Sequence, residues 1–518
     1  MTTNIIFHYA NSNEYNDDTF LKIVQSAFDQ TNEDFEVTVI HDKQVGGIAD
    51  RIADINKKGI NVSFVAVKDE PQSVQINKVL QNNTADYHLY IDNRNQEIYL
   101  KKSALDLYVL AVANNTNTGL IYADYEILED GNLKELHLLK HHIGRVRDNQ
   151  DYGKVFFITS AALKACGYFS SQVKFNALYD LRLKISEKHE VTHIANRYAG
   201  SLYRVVAQSK AHNVFDYLMA SKESQLEAEE VLSAHLKNIG AYLEPGAHYN
   251  ERPVTEVNAT IKASIIIPVN NRPVFICNAI ESVQAQTVKE VEAVVVVNGG
   301  DDDPTIETIK KYLPGGEKYD AAKPAVQLLV HDLNNLGLCF NMGARAARGA
   351  YYVQLDSDDR LKPDAVEKIL AVYESDPKIG MVIGSYEVWE KDKNGHITRM
   401  DDLPVVTHDE WTEDNGRNNL LRINGAGAPR SIPIALIKEI GFSMNEEPFA
   451  RNYGEDYQMV LKISEKHRIG RVWDAIYEVI RHSGGTDHSI DQHTIDRNDE
   501  AKDYMRKESI LRRINLNK

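Results

Sequence analysis

Tyr351-Tyr352-Val353-Gln354-Leu355-Asp356-Ser357-Asp358-Asp359 is a short apolar run that ends in carboxylates. The pattern predicts a strand that leaves a sheet and stops, with Asp356 and Asp358 at the crevice beyond its C-terminal end. Ligands bind at that place in open α/β sheets. Two hard oxygen donors can hold Mg2+ or Mn2+ between the protein and a diphosphate. An acidic turn capping the helix that begins near Pro363 would show the same residues, so the surrounding chain decides between the two readings.

Upstream of this stretch, Ala263-Ser264-Ile265-Ile266-Ile267-Pro268, Glu292 to Val297 and Ala325 to Val330 read as strands. Val274 to Gln284 and Phe340 to Arg348 have helical spacing between them, and Met381-Val382-Ile383 follows as another strand. The first 207 residues show the same alternation, with strands at Asn4 to Tyr9, Phe35 to Ile40, Val62 to Val67, Tyr87 to Asp92 and Gly119 to Tyr122. Alternation of this kind predicts an α/β protein whose sheets are mostly parallel, with helices on both faces. Between the halves, Phe215 to Ile239 is charged and amphipathic, predicting two helices, and Gly240 to Glu256 carries Pro245, Gly246 and Pro253 as a linker would. The expected organisation is 1–207, a helical linker 208–260, 261–490, and a basic helical tail 491–518.

The two halves are an internal repeat. Leu183-Lys184-Ile185-Ser186-Glu187-Lys188-His189 recurs unchanged as Leu461 to His467. Ala161 to Phe169 resembles Ile434 to Phe442, Gly119 to Glu126 resembles Gly380 to Glu387, and Ile91-Asp92 falls in the place of Leu355-Asp356.

Composition narrows the function. A net charge of −16 argues against a nucleic-acid-binding surface, which needs a basic face. The three cysteines, Cys166, Cys277 and Cys339, lie far apart, fit a reducing compartment and have no metal-site spacing. Met1-Thr2-Thr3-Asn4 does not open a signal peptide, and no apolar run approaches the ~20 residues that span a bilayer. The expectation is a cytoplasmic protein.

Residues 261–485 resemble a family 2 glycosyltransferase of the GT-A fold, a Rossmann-like mixed sheet. Ile265-Ile266-Ile267-Pro268-Val269-Asn270-Asn271-Arg272 resembles the family's first strand and nucleotide-contacting loop. Val294 to Asp303 resembles its second strand and acidic turn. Asn335-Leu336-Gly337, Asn341-Met342-Gly343 and Ala347-Arg348-Gly349 resemble its donor-binding segment. Leu355 to Asp359 is similar to the metal motif, Gly454-Glu455-Asp456-Tyr457 to the motif of the catalytic base, and Arg481-His482-Ser483-Gly484-Gly485 to the closing loop.

The resemblance implies a nucleotide-sugar donor, a Mn2+ or Mg2+ cofactor, and inversion at the sugar carbon. Asp358 is the implied metal ligand, with Asp356 on the ribose, sugar or ion and His482 as a third ligand. Asp456 is the implied base, with Glu455 beside it raising its pKa through like charge. Pro268, Val269, Asn270, Arg272, Asn298, Asn335, Gly337, Asn341, Asp356 and Ser357 fall on the donor. Gly427 and Arg430, within Asn424 to Arg430, fall near the acceptor, and Trp389 and Trp411 are candidates to stack on sugar rings. Asn298 stands where the family has an acid. An amide both donates and accepts, so a uracil edge stays readable and a UDP-linked donor is retained. Asp301, Asp302 and Asp303 read as a solvated turn.

The first half departs from the list. Its metal motif reads Asp92-Asn93-Arg94, and in the repeat register Ala177, Leu178 and Arg204 stand opposite Glu455, Asp456 and His482. A degenerate copy that packs, forms homo-oligomers or binds acceptor is expected; a second active site in a two-site polymerase is the alternative. A nucleotidyltransferase and an inert carbohydrate-binding scaffold are the other classes compatible with the residues. The acceptor is expected to be a bacterial surface glycan, a lipid-linked glycan or a glycoprotein. The tail Glu500 to Lys518 is basic and part-apolar, a character that suits packing on its own domain or a partner, with contact at the inner face of the membrane as the alternative.

Overall fold

The computed structural model describes residues 1–13, 15–68, 70–195, 201–207, 221–253, 260–392, 395–407, 416–423, 427–444, 446, 453–482 and 491–518. Contacts divide the chain into two units, Met1–Ile239 and Gly240–Lys518.

In the second unit, β-branched runs buried on both faces form the centre of a nine-stranded sheet. Ile265, Ile267, Val294, Val295 and Val296 have no exposed surface, as strands covered by helices on both sides require. The order is Ala325–Val330, Val291–Val297, Ala263–Val269, Tyr351–Gln354, Arg430–Pro433, Ile379–Lys391, Arg468–Arg481 and Arg360–Leu361, with Ile397–Arg399 added to Ile379–Lys391. The first four are parallel; Arg430–Pro433 runs antiparallel to both of its neighbours.

The first unit has a seven-stranded sheet in the order Val62–Ala66, Phe35–His41, Thr3–Tyr9, Tyr87–Ile91, Val155–Thr159, Thr118–Ala123, Glu190–Ile194. Here too the fifth strand is antiparallel to its neighbours and the first four are parallel. The strand order is that of the second unit, position by position. The units differ in continuity. Ile379–Lys391 and Arg468–Arg481 pair across register shifts along one sheet. Their counterparts are interrupted, and Glu97–Leu100, Tyr203–Ala207, Tyr125–Glu129 and Asn132–Leu136 form a separate four-stranded sheet.

The stretch expected to be a linker is divided between the units. Lys222–Asn238 is a single helix of the first unit, where Glu227 accepts the backbone N–H groups of Lys174, Phe175 and Asn176 at 2.6, 2.9 and 2.8 Å. The expectation of two helices from Phe215 falls partly on residues outside those described. Gly240 to Pro253 belongs to the second unit: Leu243 exchanges hydrogen bonds with the Asn418 amide, and Asn250 N–H donates to the Lys466 carbonyl.

The C-terminal stretch is the 25-residue helix Gln492–Leu516, packed on helix Glu455–Lys466. It packs on its own domain, and two of its basic residues, Arg506 and Arg513, are fully buried. Among the described residues no helix is long and apolar enough to cross a membrane.

Candidate active site

Strand pairing assembles the site. Tyr351–Gln354 lies between Ala263–Val269, parallel, and Arg430–Pro433, antiparallel. Because Val353 faces Ser431, the chain leaves the sheet at Asp356 where the antiparallel strand begins at Arg430. Residues 74 positions apart in sequence therefore meet at one sheet end.

The turn after Tyr351–Gln354 is pinned by its last acid. Asp359 is buried and accepts the Tyr477 hydroxyl and the Ile480 N–H, both at 2.8 Å. The Tyr477 oxygen accepts the Asp356 N–H at 3.1 Å. Burial, and then the charges of Asp356 and Asp358, push the Asp359 carboxyl well above the usual carboxylate range. Asp359 thus shapes the turn and leaves Asp356 and Asp358 to face the crevice.

Asp356 stands at the mouth of the crevice with protein packed around its carboxyl. Desolvation by that packing, and then the charge of Asp358, raise its carboxyl to about 6 against the pull of Arg430. Its side is open to solvent at the mouth of the crevice, which tempers that rise. Asp358 Oδ2 lies 3.0 Å from His482 Nε2. The His482 ring stacks on Phe275 at 4.3 Å, and Lys391 covers Phe275 at 4.3 Å. Ser483, Gly484 and Gly485 lie outside the described residues.

Helix Glu455–Lys466 brings the second pair of acids. Gly454 precedes it with φ of 89°, a conformation that favours glycine. Asp456 Oδ1 accepts the Tyr457 N–H at 2.6 Å, and Oδ2 lies 2.7 Å from Arg430 Nη2. Burial alone would raise the Asp456 carboxyl. Arg430, and then Lys502, outweigh it and hold Asp456 below the usual range. Glu455 is buried, and its Oε2 has no partner. Burial, and then the charge of Asp456, raise Glu455 to about 7. The pair is thus split in opposite directions, Asp456 held down and Glu455 pushed up.

The sequence-derived donor residues separate into two groups. Pro268 and Val269 end the strand beside Tyr351–Gln354, Asn270 reaches the Asn298 carbonyl at 3.3 Å, and Arg272 N–H donates to Thr305. Asn298 is buried, its Nδ2 is 3.3 Å from Asn334, and its Oδ1 has no partner. Ser357 is buried in the turn.

Asn335, Gly337 and Asn341, expected on the donor, contact the chain itself. Both ends of the Asn341 amide bond the Phe442 backbone. Asn335 caps helix Leu336–Ala346 and reaches the Met444 carbonyl. A Cβ on Gly337 would overlap the Ser443 carbonyl oxygen. These three residues dock the segment 442–444. Asp303 is a correction of a different kind. Far from being solvated, it is buried, accepts the Asn271 N–H at 2.8 Å and bonds the Thr305 N–H.

Of the acceptor candidates, Gly427 is buried with φ of 80°, and Arg430 is committed to Asp456. Trp389 is half-buried under Arg360 at 5.7 Å, with its Nε1 unpartnered. Asn424 to Ala426 and Trp411 lie outside the described residues. Among the described residues no three of His, Cys, Asp and Glu form a preformed metal cage. Sequence reasoning missed Asp359 as an anchor, although it stands in the quoted stretch, and missed Tyr477, Phe275 and Lys502, which carry no motif.

The corresponding sheet end of the first unit is closed by its own side chains. Arg94 Nε lies 2.8 Å from Asp92, and Asn93 is buried, bonded to both backbone groups of His8 and to Tyr15. Burial, and then Arg94, lower His8 to about 4. Asp180, the nearest acid to the missing base position, is paired with Lys184 at 3.2 Å.

Residues 264–430 match the model of glycosyl transferase family 2. The chondroitin synthase of Escherichia coli is 33% identical over 159 residues, which are 30% of this chain and 22% of that protein. The chondroitin synthase of Pasteurella multocida is 30% identical over 188 residues, 35% of this chain and 18% of that protein. The match thus spans about a fifth of the length of these relatives. An uncharacterized glycosyltransferase of Rickettsia felis is 23% identical over 515 residues, covering 92% of this chain and 79% of that protein. Among solved structures, S. aureus TarS 1-349 in complex with UDP-GlcNAc aligns with a TM-score of 0.34 at 20% identity, covering 44% of this chain and 62% of that chain.

Proposed function

We propose, from the premise that residues 264–430 are a domain of glycosyltransferase family 2, that the second unit moves a sugar from a nucleotide-sugar donor to an acceptor hydroxyl, with inversion and with a divalent cation. The observation that carries this reading is the convergence of Asp356, Asp358, Arg430 and Asp456 at one sheet end, with Asp456 kept ionised.

The residues fit a cation. Asp356 and Asp358 crowd negative charge that raises Asp356, and carboxylate oxygens suit Mg2+ or Mn2+. Two protein carboxylates with phosphate oxygens are a usual Mg2+ set, so a three-residue cage is not required. Asp356 and Asp358 would hold the ion, with His482 on Asp358. Bound there, it supplies Lewis-acid stabilisation of the departing diphosphate.

The chain's own groups do the rest. Asp456 takes the proton of the acceptor hydroxyl as that oxygen bonds the anomeric carbon. The bond from that carbon to the diphosphate breaks, and its electron pair leaves on the nucleoside diphosphate. Arg430, beside both Asp456 and Asp356, is placed to meet the anionic donor. The unpartnered Asn298 Oδ1 and the loop Pro268 to Arg272 favour a base with a donor edge, as uracil has. Gly427 and Trp389 are assigned to the acceptor, a glycan, lipid-linked glycan or glycoprotein of a bacterial surface. We place the reaction in the cytoplasm, and read the first unit as a degenerate copy because the strand order is kept while Asp92-Asn93-Arg94 closes on itself.

A donor screen with Mn2+, read by nucleoside diphosphate release, tests the reading. Release that disappears in Asp456→Asn is expected. No release with any donor and acceptor glycan would sink it.

A further inference from the structure

We propose that the C-terminal helix Gln492–Leu516 is part of the catalytic apparatus, with Lys502 as a positioning residue that holds the Gly454-Glu455-Asp456 turn and sets a second cation behind Asp456. This rests on the reading of Asp456 as the base. The family match ends at residue 430, so neither the base motif nor this helix lies within it.

The helix is built for attachment to the base motif's helix. Arg512 reaches both oxygens of Glu465 at 2.8 to 3.1 Å, and Ser509 donates to Glu465 at 2.9 Å. The buried Arg513 donates to the Arg417 carbonyl at 2.8 Å and to Ser464 at 3.3 Å. One turn after Lys502, Arg506 lies over the Tyr457 ring at 4.8 Å and donates to the Ile423 carbonyl at 3.0 Å. These contacts fix the register of one helix on the other.

At the end of that register stand Lys502 and Met505. Lys502 is buried, with its ammonium 4.5 Å from the Tyr453 ring and 5.5 Å from the Tyr457 ring. Those two rings flank Gly454-Glu455-Asp456 in sequence. A Cβ on Gly454 would stand 2.9 Å from Met505 Cε, so the helix packs directly against the turn. The charge of Lys502 acts on both Asp456 and Glu455. Among the described residues, Arg430 and Lys502 are cations whose charge acts on Asp456, and Glu455 and Asp356 are anions beside it. A buried ammonium is costly unless it faces negative charge, and the carboxylates of the motif are part of the charge that Lys502 faces. When Arg430 engages an anionic donor, Lys502 remains the cation that holds the Asp456 carboxylate in place.

Full-length Lys502→Met and Lys502→Arg are compared with the parent protein and with Asp456→Asn, in nucleoside diphosphate release and in Mn2+-dependent binding of UDP. Lys502→Met is expected to lower kcat roughly tenfold or more, with the donor KM and UDP binding within about twofold, and Lys502→Arg to restore most of kcat. Unchanged kcat in Lys502→Met while Asp456→Asn is inactive overturns the proposal and leaves the base assignment standing. Full activity in Asp456→Asn removes the base assignment on which the proposal rests, whatever Lys502 does. Should Lys502→Met not fold, Lys502→Gln repeats the test. Loss of folding in both neutral variants overturns the proposal, since Lys502 then serves the fold alone.

Discussion

Arg430 reaches across the sheet end to within 2.7 Å of Asp456, tying strand Arg430–Pro433 to helix Glu455–Lys466. Each is about a fifth exposed, so the pair is partly shielded from water. Removing one partner leaves the other charge without compensation, at a cost of about 1–3 kcal/mol. Arg430→Met is expected to lower stability by that amount in urea unfolding and to reduce transfer at least ~10-fold. Arg430→Lys should recover stability better than activity, because an ammonium cannot reproduce the guanidinium fork.

The proposed metal role of Asp358 sets function against stability. Its charge helps raise Asp356 and Asp359. Asp358→Asn is therefore expected to leave the urea midpoint unchanged or higher, while Mn2+-dependent nucleoside diphosphate release falls ~100-fold or more. A matched loss of both would mean that Asp358 is structural.

Glu455 gives the fold a pH signature. Its carboxyl is raised from 4.5 to about 7, so between those values the folded chain binds more protons than the unfolded chain. Stability from this group is then highest at low pH and falls as pH rises through about 7, where burial of the ionised form is complete. His8 and His88, both lowered to about 4, act in the opposite sense in the first unit. The difference between the parent and Glu455→Gln, measured as unfolding free energy against pH, isolates the Glu455 contribution. The parent should lose stability relative to the variant from pH ~5 to ~7.

Gly337 and Gly46 predict opposite outcomes for the same substitution. A Cβ on Gly337 would overlap the Ser443 carbonyl oxygen, and backbone cannot yield cheaply. Gly337→Ala should cost ~2–4 kcal/mol. Gly46 opens helix Gly46–Ile55 with nothing within 4 Å. Gly46→Ala should be neutral or add up to ~1 kcal/mol. Urea unfolding of both variants decides.

In the first unit, Asp92→Asn should leave transfer by all donors unchanged. It removes the carboxylate that Arg94 pairs with at 2.8 Å, so it should destabilise that unit by about 1–2 kcal/mol. Loss of transfer with one donor class alone would restore the two-site alternative.

The periodic runs made the sheets legible. Ile265 to Ile267 and Val294 to Val297 had to be strands buried on both faces, and the motif order placed the crevice. The exchange of Arg430 with Asp456 was not legible, because it depends on an antiparallel strand whose register the sequence does not state. The contacts of Asn335 and Asn341 were not legible either: an amide that can bind a ligand can equally bind a passing backbone, and segment 442–444 supplies one. That the C-terminal helix packs on its own domain was legible in its apolar positions; that Arg506 and Arg513 meet carbonyl oxygens there was not, because charge alone does not reveal it.

Strand Arg468–Arg481 bears no motif before its last residue, yet Tyr477 and Ile480 hold Asp359, and His482 follows at its end. The shape of the Asp356–Asp358 turn is therefore stored in a part of the chain that a motif search passes over. A fragment cut to the recognised stretch would keep both carboxylates and lose the template that aims them. For anyone transplanting or recombining this domain, the unit of inheritance is the turn together with that strand.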